Sequence, residues 1–149
     1  MKLVVKNLRK LDKFAEKVAD SIGKTKKSGA TVIALFGDLG AGKTAFTKSL
    51  AKSLGISNMV SSPTFVIEKI YSLKNSYFKK LIHIDAYRID HPRELAVLGF
   101  ENLLKDPTNL IVVEWADRVK PLVPKDAFKI FLSSAENSEH RHLTYHAPR

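Results

Sequence analysis

A glycine-rich segment carries the clearest chemistry in this sequence. Residues 37–44 read Gly-Asp-Leu-Gly-Ala-Gly-Lys-Thr and match the pattern G-x-x-x-x-G-K-[ST]. Glycines let the backbone turn tightly, so that successive amide N–H groups point at one bound anion. A helix that begins at Lys43 would add the positive end of its dipole. We therefore predict a cradle for the phosphates of ATP or GTP, in which Lys43 neutralises phosphate and the Thr44 hydroxyl binds Mg²⁺.

The residues around this loop are predicted to contact the nucleotide. The pattern alone would arise by chance in about one chain in a hundred of this length. Here it follows an apolar run at 31–36 and opens a segment with helical spacing, which is the context that the pattern requires. The Asp38 carboxylate would repel phosphate if it pointed inward, so we expect it to face solvent or a neighbouring loop. The predicted positions are Asp38, Leu39, Gly40, Ala41, Gly42, Lys43, Thr44 and Ala45.

Two carboxylates are candidates for the chemistry that a phosphate-binding loop needs. Asp85 and Glu114 each follow a four-residue apolar run. One can hold Mg²⁺ while the other orients or deprotonates an attacking water. The alternative is that either acid only caps a strand end or pairs with Arg88 or Arg118. The residues alone leave this division of roles open.

Three further side chains have both a functional and a structural interpretation. Thr64, in the segment Ser-Pro-Thr-Phe at 62–65, could reach the γ-phosphate as a switch residue or could satisfy local backbone groups in a turn. His83 alternates with Asp85 and so shares its strand face, where a packed, hydrogen-bonded histidine is the commoner case. Trp115, the only tryptophan, fits a core or rim aromatic better than a platform for a stacked base.

The apolar pattern predicts one α/β domain over residues 1–149, with a mostly parallel central sheet. Continuous apolar runs indicate buried strands, whereas the last two strands are expected to be antiparallel. The carboxyl ends of parallel strands share one edge of a sheet, so the glycine loop, Asp85 and Glu114 can meet there. Strands are predicted near 3–6, 31–36, 65–71, 81–85, 110–114, 128–132 and 142–146.

Helical spacing predicts helices at about 12–24 and 43–54. A third helix should begin near Pro92 and end near Gly99, and Pro121 and Pro124 mark a connection.

Composition limits the class of protein. The apolar share of 44% suits a globular chain, and the absence of cysteine excludes disulfides and thiolate metal sites. No apolar run approaches the roughly 18 residues that cross a bilayer, and the N-terminus lacks a signal-peptide pattern, so we expect a cytoplasmic protein without membrane contact. A formal charge of +10 suggests an acidic partner such as nucleic acid, although lysines on solvated helix faces also account for it.

The motifs, taken in order, resemble the TsaE (YjeE-like) family of bacterial ATPases of tRNA threonylcarbamoyladenosine synthesis. The resemblance runs from about residue 11 to residue 124. It rests on the glycine loop, Ser-Pro-Thr-Phe at 62–65, His-Ile-Asp-Ala-Tyr-Arg at 83–88, Glu-Leu at 94–95 with Leu-Gly at 98–99, and Val-Glu-Trp at 113–115. The tail after Pro124 follows none of these motifs.

The resemblance implies a P-loop NTPase-like three-layer fold and a site for ATP or ADP with Mg²⁺. It implies that Glu114 is the metal-side acid with Thr44, that Asp85 is the catalytic or water-positioning acid, and that Lys43 and Thr64 also serve catalysis. It places Trp115 near the nucleotide. The TsaB and TsaD proteins are the implied partners, with tRNA reached through their complex, and the chain alone is expected to be a monomer or weak dimer.

The leading hypothesis is therefore a slow, partner-stimulated ATPase that assists tRNA modification. An arginine acting on the transition state is not evident among the motifs, although Arg88, Arg118 or a partner could supply one. A second hypothesis is a nucleotide-dependent switch or binding module without significant hydrolysis. A third is a small-molecule kinase, which is disfavoured because no arginine-rich segment that could form a lid follows the loop.

Overall fold

A computed structural model describes residues 1–24, 27–56, 61, 63, 66–74, 76–134 and 140–148. In this part of the chain, seven strands form one sheet in the order β1-β7-β6-β2-β5-β4-β3. The central strands β6, β2, β5 and β4 run parallel, whereas β3, β7 and β1 pair antiparallel with their neighbours. The strands are β1 (Lys2–Val5), β2 (Thr31–Phe36), β3 (Glu68–Ser72), β4 (Lys80–Asp85), β5 (Asn109–Glu114), β6 (Phe128–Ser134) and β7 (Arg141–His146).

Helices cover the sheet on both faces and make three layers. Alternate strand residues point to opposite faces, so Ile33 and Leu35 pack against one pair of helices while Val32 and Ala34 enter a second core. The helices α1 (Leu8–Gly23) and α2 (Lys43–Ser53) cover the first face. The short helices α3 (Arg93–Val97) and α4 (Phe100–Leu104) and a 3₁₀ helix (Ala116–Leu122) cover the central strands on the second.

The predicted fold class is confirmed, with local corrections. Helix α1 begins at Leu8 rather than near Asp12, because the Asn7 side chain caps it by accepting the Lys10 N–H at 2.9 Å. The helix that follows Pro92 ends near Gly99 as expected. The sequence did not predict that a second short helix, α4, begins directly after Gly99, whose left-handed backbone (φ 88°) turns the chain.

The segment after β5 is also more regular than predicted. Pro121, expected in a plain connection, lies in the 3₁₀ helix, just beyond a kink at Val119. The late strands β6 and β7 are antiparallel to each other as expected, and β6 additionally pairs parallel with β2. No helix in the described ranges is long and apolar enough to cross a membrane.

Candidate functional site

The glycine loop joins the end of β2 to the start of α2. Gly37 has φ 151°, and a Cβ there would collide with the backbone carbonyl oxygen of Leu132 on β6. Gly42 has φ 106° and immediately precedes α2, so its left-handed conformation rather than lack of space favours glycine. The loop is thus fixed between β6 and a helix N-terminus, where backbone N–H groups and the helix dipole favour an anion.

Lys43 is buried beneath this loop. Its ammonium donates to the carbonyl oxygens of Gly37 at 2.5 Å and Asp38 at 2.8 Å, and it lies 4.0 Å from the centroid of the Trp115 ring. Burial lowers the pKa of Lys43, while the nearby carboxylates, Glu114 first and then Asp85, act in the opposite direction. The charge is therefore held in place by the loop and an aromatic face.

Thr44, Glu114 and His83 form a buried chain of hydrogen bonds. The Thr44 hydroxyl donates to Glu114 Oε1 at 2.8 Å, and His83 Nε2 contacts Glu114 Oε2. His83 has no exposed surface and Glu114 only 2%. The sequence placed His83 correctly as a packed residue, but its contact with Glu114 gives it a role in orienting the carboxylate that the sequence did not reveal.

Asp85 lies beside Glu114 at the same edge of the sheet. The two acids are register partners on β4 and β5, and both side chains point to the face that α2 covers. Asp85 is nearly buried and accepts the Tyr87 N–H at 3.0 Å. The prediction that Asp85, Glu114 and the glycine loop meet is confirmed by this geometry.

An aromatic pair borders the site. Trp115 adopts a left-handed backbone (φ 57°), which is uncommon for a side chain of this size. Its ring lies 5.0 Å from that of Tyr87, and the Arg118 guanidinium lies 5.5 Å from the Tyr87 ring and 5.7 Å from the Trp115 ring. Trp115 is therefore a half-buried rim aromatic that contacts Lys43, rather than a residue of the main core.

A cavity of about 430 Å³ unites these groups. Tyr87 and Arg141 also line it. Tyr87 belongs to the motif at 83–88 but was given no role in the site, and Arg141 belongs to the tail that follows no motif. Leu39 is 77% exposed at the rim. Thr64 lies outside the described residues. The predicted residues that do line the cavity are Leu39, Gly40, Gly42, Lys43, Thr44, Ala45, Asp85, Glu114 and Trp115.

A second cavity of about 410 Å³ adjoins the first and shares Gly42, Ala45 and Arg141 with it. Its walls are mostly apolar, and the predicted residue Ala41 lines it rather than the first cavity. The larger apolar wall residues come from β1, the start of α1, β6 and β7: Val5, Leu8, Leu11, Leu132 and Leu143.

These groups fit a nucleoside triphosphate with Mg²⁺. Backbone N–H groups and a buried ammonium suit phosphate oxygens, and a threonine hydroxyl beside a carboxylate suits a hard cation. The fold and the loop together define a class, the α/β proteins with a P-loop NTPase-like architecture.

Comparison with known proteins gives the family. The model of the family "Threonylcarbamoyl adenosine biosynthesis protein TsaE" matches residues 5–143, and the chain belongs to this family. The tRNA threonylcarbamoyladenosine biosynthesis protein TsaE of Bacillus subtilis is 39% identical over 116 residues, which span 78% of this chain and 69% of that protein. The protein of the same name from Borreliella burgdorferi is 40% identical over 95 residues, which span 64% and 66%.

A solved structure shares the fold. The crystal structure of Bacillus subtilis YdiB aligns with a TM-score of 0.77 and 30% identity, covering all of this chain and 86% of that one. The resemblance read from the motifs is thereby confirmed at the level of family and fold.

Proposed function

We propose that this chain binds ATP with Mg²⁺ and hydrolyses it slowly as an accessory protein of tRNA threonylcarbamoyladenosine modification, acting on the TsaB–TsaD complex. The contact between Thr44 and Glu114, next to the buried Lys43, carries the proposal. It places a hydroxyl, a carboxylate and an ammonium at the N-terminus of one helix. The names of the relatives support a role in tRNA threonylcarbamoyladenosine biosynthesis.

Each residue has a distinct part in this proposal. The loop N–H groups and Lys43 hold the phosphates, and Thr44 and Glu114 hold Mg²⁺, which neutralises charge on the phosphate oxygens when bound. Asp85, oriented by the Tyr87 N–H, accepts a hydrogen bond from the attacking water and positions it. His83 fixes the far oxygen of Glu114, so that the near oxygen faces Thr44.

The base has a natural location in the second cavity. It adjoins the glycine loop through Gly42 and Ala45, and its leucine walls suit a flat apolar ring. Arg141 lines both cavities and can contact the phosphates or the base. Arg118, held against Tyr87 and Trp115 at the rim, is a second arginine that could stabilise the γ-phosphate in cis during hydrolysis.

The binding-switch alternative also has a supporting observation. Lys43 donates to the carbonyls of its own loop, and Thr44 donates to Glu114. Nucleotide binding would exchange these internal hydrogen bonds for phosphate and metal contacts, and so could rearrange the loop for a partner. A kinase has no comparable support in the described residues.

Phosphate release and tRNA modification test these alternatives together. With TsaB, TsaD, tRNA and a preformed threonylcarbamoyl donor present, the proposal predicts phosphate release without a phosphorylated acceptor. A non-hydrolysable ATP analogue should then fail to sustain repeated modification. Full activity with the analogue would favour the switch, and a phosphorylated small molecule would favour the kinase.

A further inference from the structure

Part of the second sheet face, formed by strands β6, β7 and β1, is left uncovered by helices in the described part of the chain. The core under α3, α4 and the 3₁₀ helix includes residues of β2, β4 and β5 but none of β6, β7 or β1. We call the uncovered side of β6, β7 and β1 the open face. Alternation along the strands and the register place six residues on it that matter here: Lys2, Lys129, Phe131, His142, Thr144 and His146.

An exposed aromatic ring lies on this face. Phe131 is 41% exposed, although its strand position would ordinarily take a polar residue on a solvated face. Its ring is stacked on Phe36 with the centroids 4.7 Å apart and the planes inclined by 13°. The edge-on ring of His146 lies 5.7 Å away. The Phe131 ring is therefore held firmly at the surface.

Cations surround this ring. Lys2 and Phe131 are both register partners of Thr144, and Lys129 is the register partner of His146. A depression of about 650 Å³ next to Phe131 is lined by Lys125 and Lys129. Its acidic wall residue, Asp126, is paired with Lys27 at 2.7 Å, so this carboxylate is already balanced.

A ligand that complements a rigid, exposed aromatic ring among lysines carries a flat ring and negative charge. Single-stranded nucleic acid supplies both, because its bases stack on aromatic side chains while its phosphates contact lysines. An acidic peptide would use the lysines but not the stacking surface of Phe131. The formal charge of +10 adds long-range attraction for a polyanion.

We propose that the open face binds single-stranded RNA, with one base stacked on Phe131 and the flanking phosphates held by Lys2, Lys125 and Lys129. The inference that the ligand is a single-stranded polynucleotide rests on the Phe131 ring and the lysines of this face. The choice of RNA over DNA rests on the proposed function in tRNA modification.

Fluorescence anisotropy with a labelled single-stranded RNA of about 12 nucleotides, within the usual range of site sizes, tests the proposal. Loss of one stacked base should weaken binding about 5- to 100-fold in Phe131→Ala, and Phe131→Tyr should retain most of the affinity. The exposed aromatic Tyr77, outside the open face, supplies the matched control Tyr77→Ala, which should bind normally. Thermal melts of each variant confirm that it is folded.

The lysines are tested through the salt dependence. Three phosphate contacts predict a slope of about −2 in a plot of log affinity against log salt concentration, and Lys129→Ala should make it shallower by about 0.7. Lys105→Ala, which removes an exposed lysine at the end of α4, should leave the slope unchanged. Lys43→Ala should weaken ATP binding but leave RNA affinity unchanged, because Lys43 and α2 lie on the other face of the sheet. This variant separates failure of the RNA proposal from failure of the ATP proposal.

Several results would overturn the proposal. They are absence of RNA binding at low salt, an unchanged affinity in Phe131→Ala, and equal affinity for duplex RNA. Equal affinity for polyglutamate would instead assign the face to an acidic protein. Tighter binding of single-stranded DNA of the same sequence would contradict the choice of RNA.

Discussion

At the scale of single residues, Lys43 decides whether the site is a phosphate site. We expect Lys43→Ala to weaken Mg-ATP binding about 10- to 100-fold, the effect of losing hydrogen bonds from a charged group. Trp115 fluorescence is a direct readout in both proteins, since Trp115 lines the cavity that the nucleotide would enter. Lys48→Ala, an exposed position on the same helix, is the control and should bind normally. Unchanged affinity in folded Lys43→Ala protein would remove the basis for a phosphate site.

The two acids should separate by their effects on metal and on turnover. Glu114→Gln should raise the Mg²⁺ concentration needed for half-maximal hydrolysis, because Glu114 contacts Thr44. Asp85→Asn should mainly lower kcat, by about 10²- to 10⁴-fold if it assists the attacking water. Hydrolysis assays across a Mg²⁺ titration measure both quantities. The opposite pattern would exchange the two roles, and no change in either variant would reject the assignment.

Most of the residues of the site could be predicted from the sequence because they lie in compact motifs at strand ends. The contact between His83 and Glu114 could not, since it joins strands β4 and β5 across 31 positions and depends on register. Arg141 was missed for a related reason. It reaches the cavity only because β7 pairs with β6, which extends the sheet beside the loop.

At the scale of secondary-structure elements, the left-handed glycines define where helices begin. Gly42→Ala and Gly99→Ala should each lower the free energy of unfolding by about 1 to 2 kcal/mol, because alanine is strained at these positive φ values. A Cβ has room at both positions, so conformation is the cause. Urea unfolding measures this effect. Gly42→Ala alone should also weaken ATP binding, and equal binding losses in both variants would show a general loss of fold instead.

The packing of α1 on α2 includes a polar contact with a defined pH dependence. Asp12 accepts a hydrogen bond from the Ser49 hydroxyl at 2.7 Å and contacts Lys52 at 3.2 Å. The Ser49 hydrogen bond, with a smaller contribution from Lys52, lowers the pKa of Asp12 against the effect of burial. The contact therefore stabilises the fold above the unfolded-state pKa of about 3.9, and this contribution is lost as the pH falls through the lower folded-state pKa.

We expect Asp12→Asn to reduce the free energy of unfolding by about 0.5 to 1 kcal/mol near neutral pH. The difference from the wild-type chain should shrink as the pH falls below about 4. Urea unfolding at several pH values measures it. Asp20→Asn, an exposed position on the same helix, should show neither effect. A difference that grows on acidification would contradict the sign of the pKa shift.

The strands and helices differ in how well their positions could be predicted from the sequence. Strands β2, β4 and β5 are continuous apolar runs, because both faces are covered, and these runs were recognisable. The start of α1 was misplaced because Asn7 acts through a side-chain cap rather than through apolar spacing. The parallel pairing of β6 with β2 depends on contacts far apart in the chain, and local patterns do not encode it.

At the scale of the whole molecule, the sheet separates two surfaces. The cavity proposed to bind the nucleotide lies at the carboxyl edge of β2, β4 and β5, as expected for an open parallel sheet. The open face lies on the other side of the sheet, yet Phe36, whose ring stacks on that of its register partner Phe131, directly precedes Gly37 of the loop. Family membership connects the chain to tRNA threonylcarbamoyladenosine biosynthesis.

At this scale we propose that the chain is an ATPase whose activity depends on its partners. The most direct test is ATP hydrolysis by the purified chain, alone and with TsaB, TsaD, tRNA and a preformed threonylcarbamoyl donor, while modified tRNA is measured in the same samples. We predict slow hydrolysis by the chain alone and faster hydrolysis with the partners, accompanied by modified tRNA, with both signals lost in Lys43→Ala. Tight ATP binding with no effect of the partners on hydrolysis would contradict the claim.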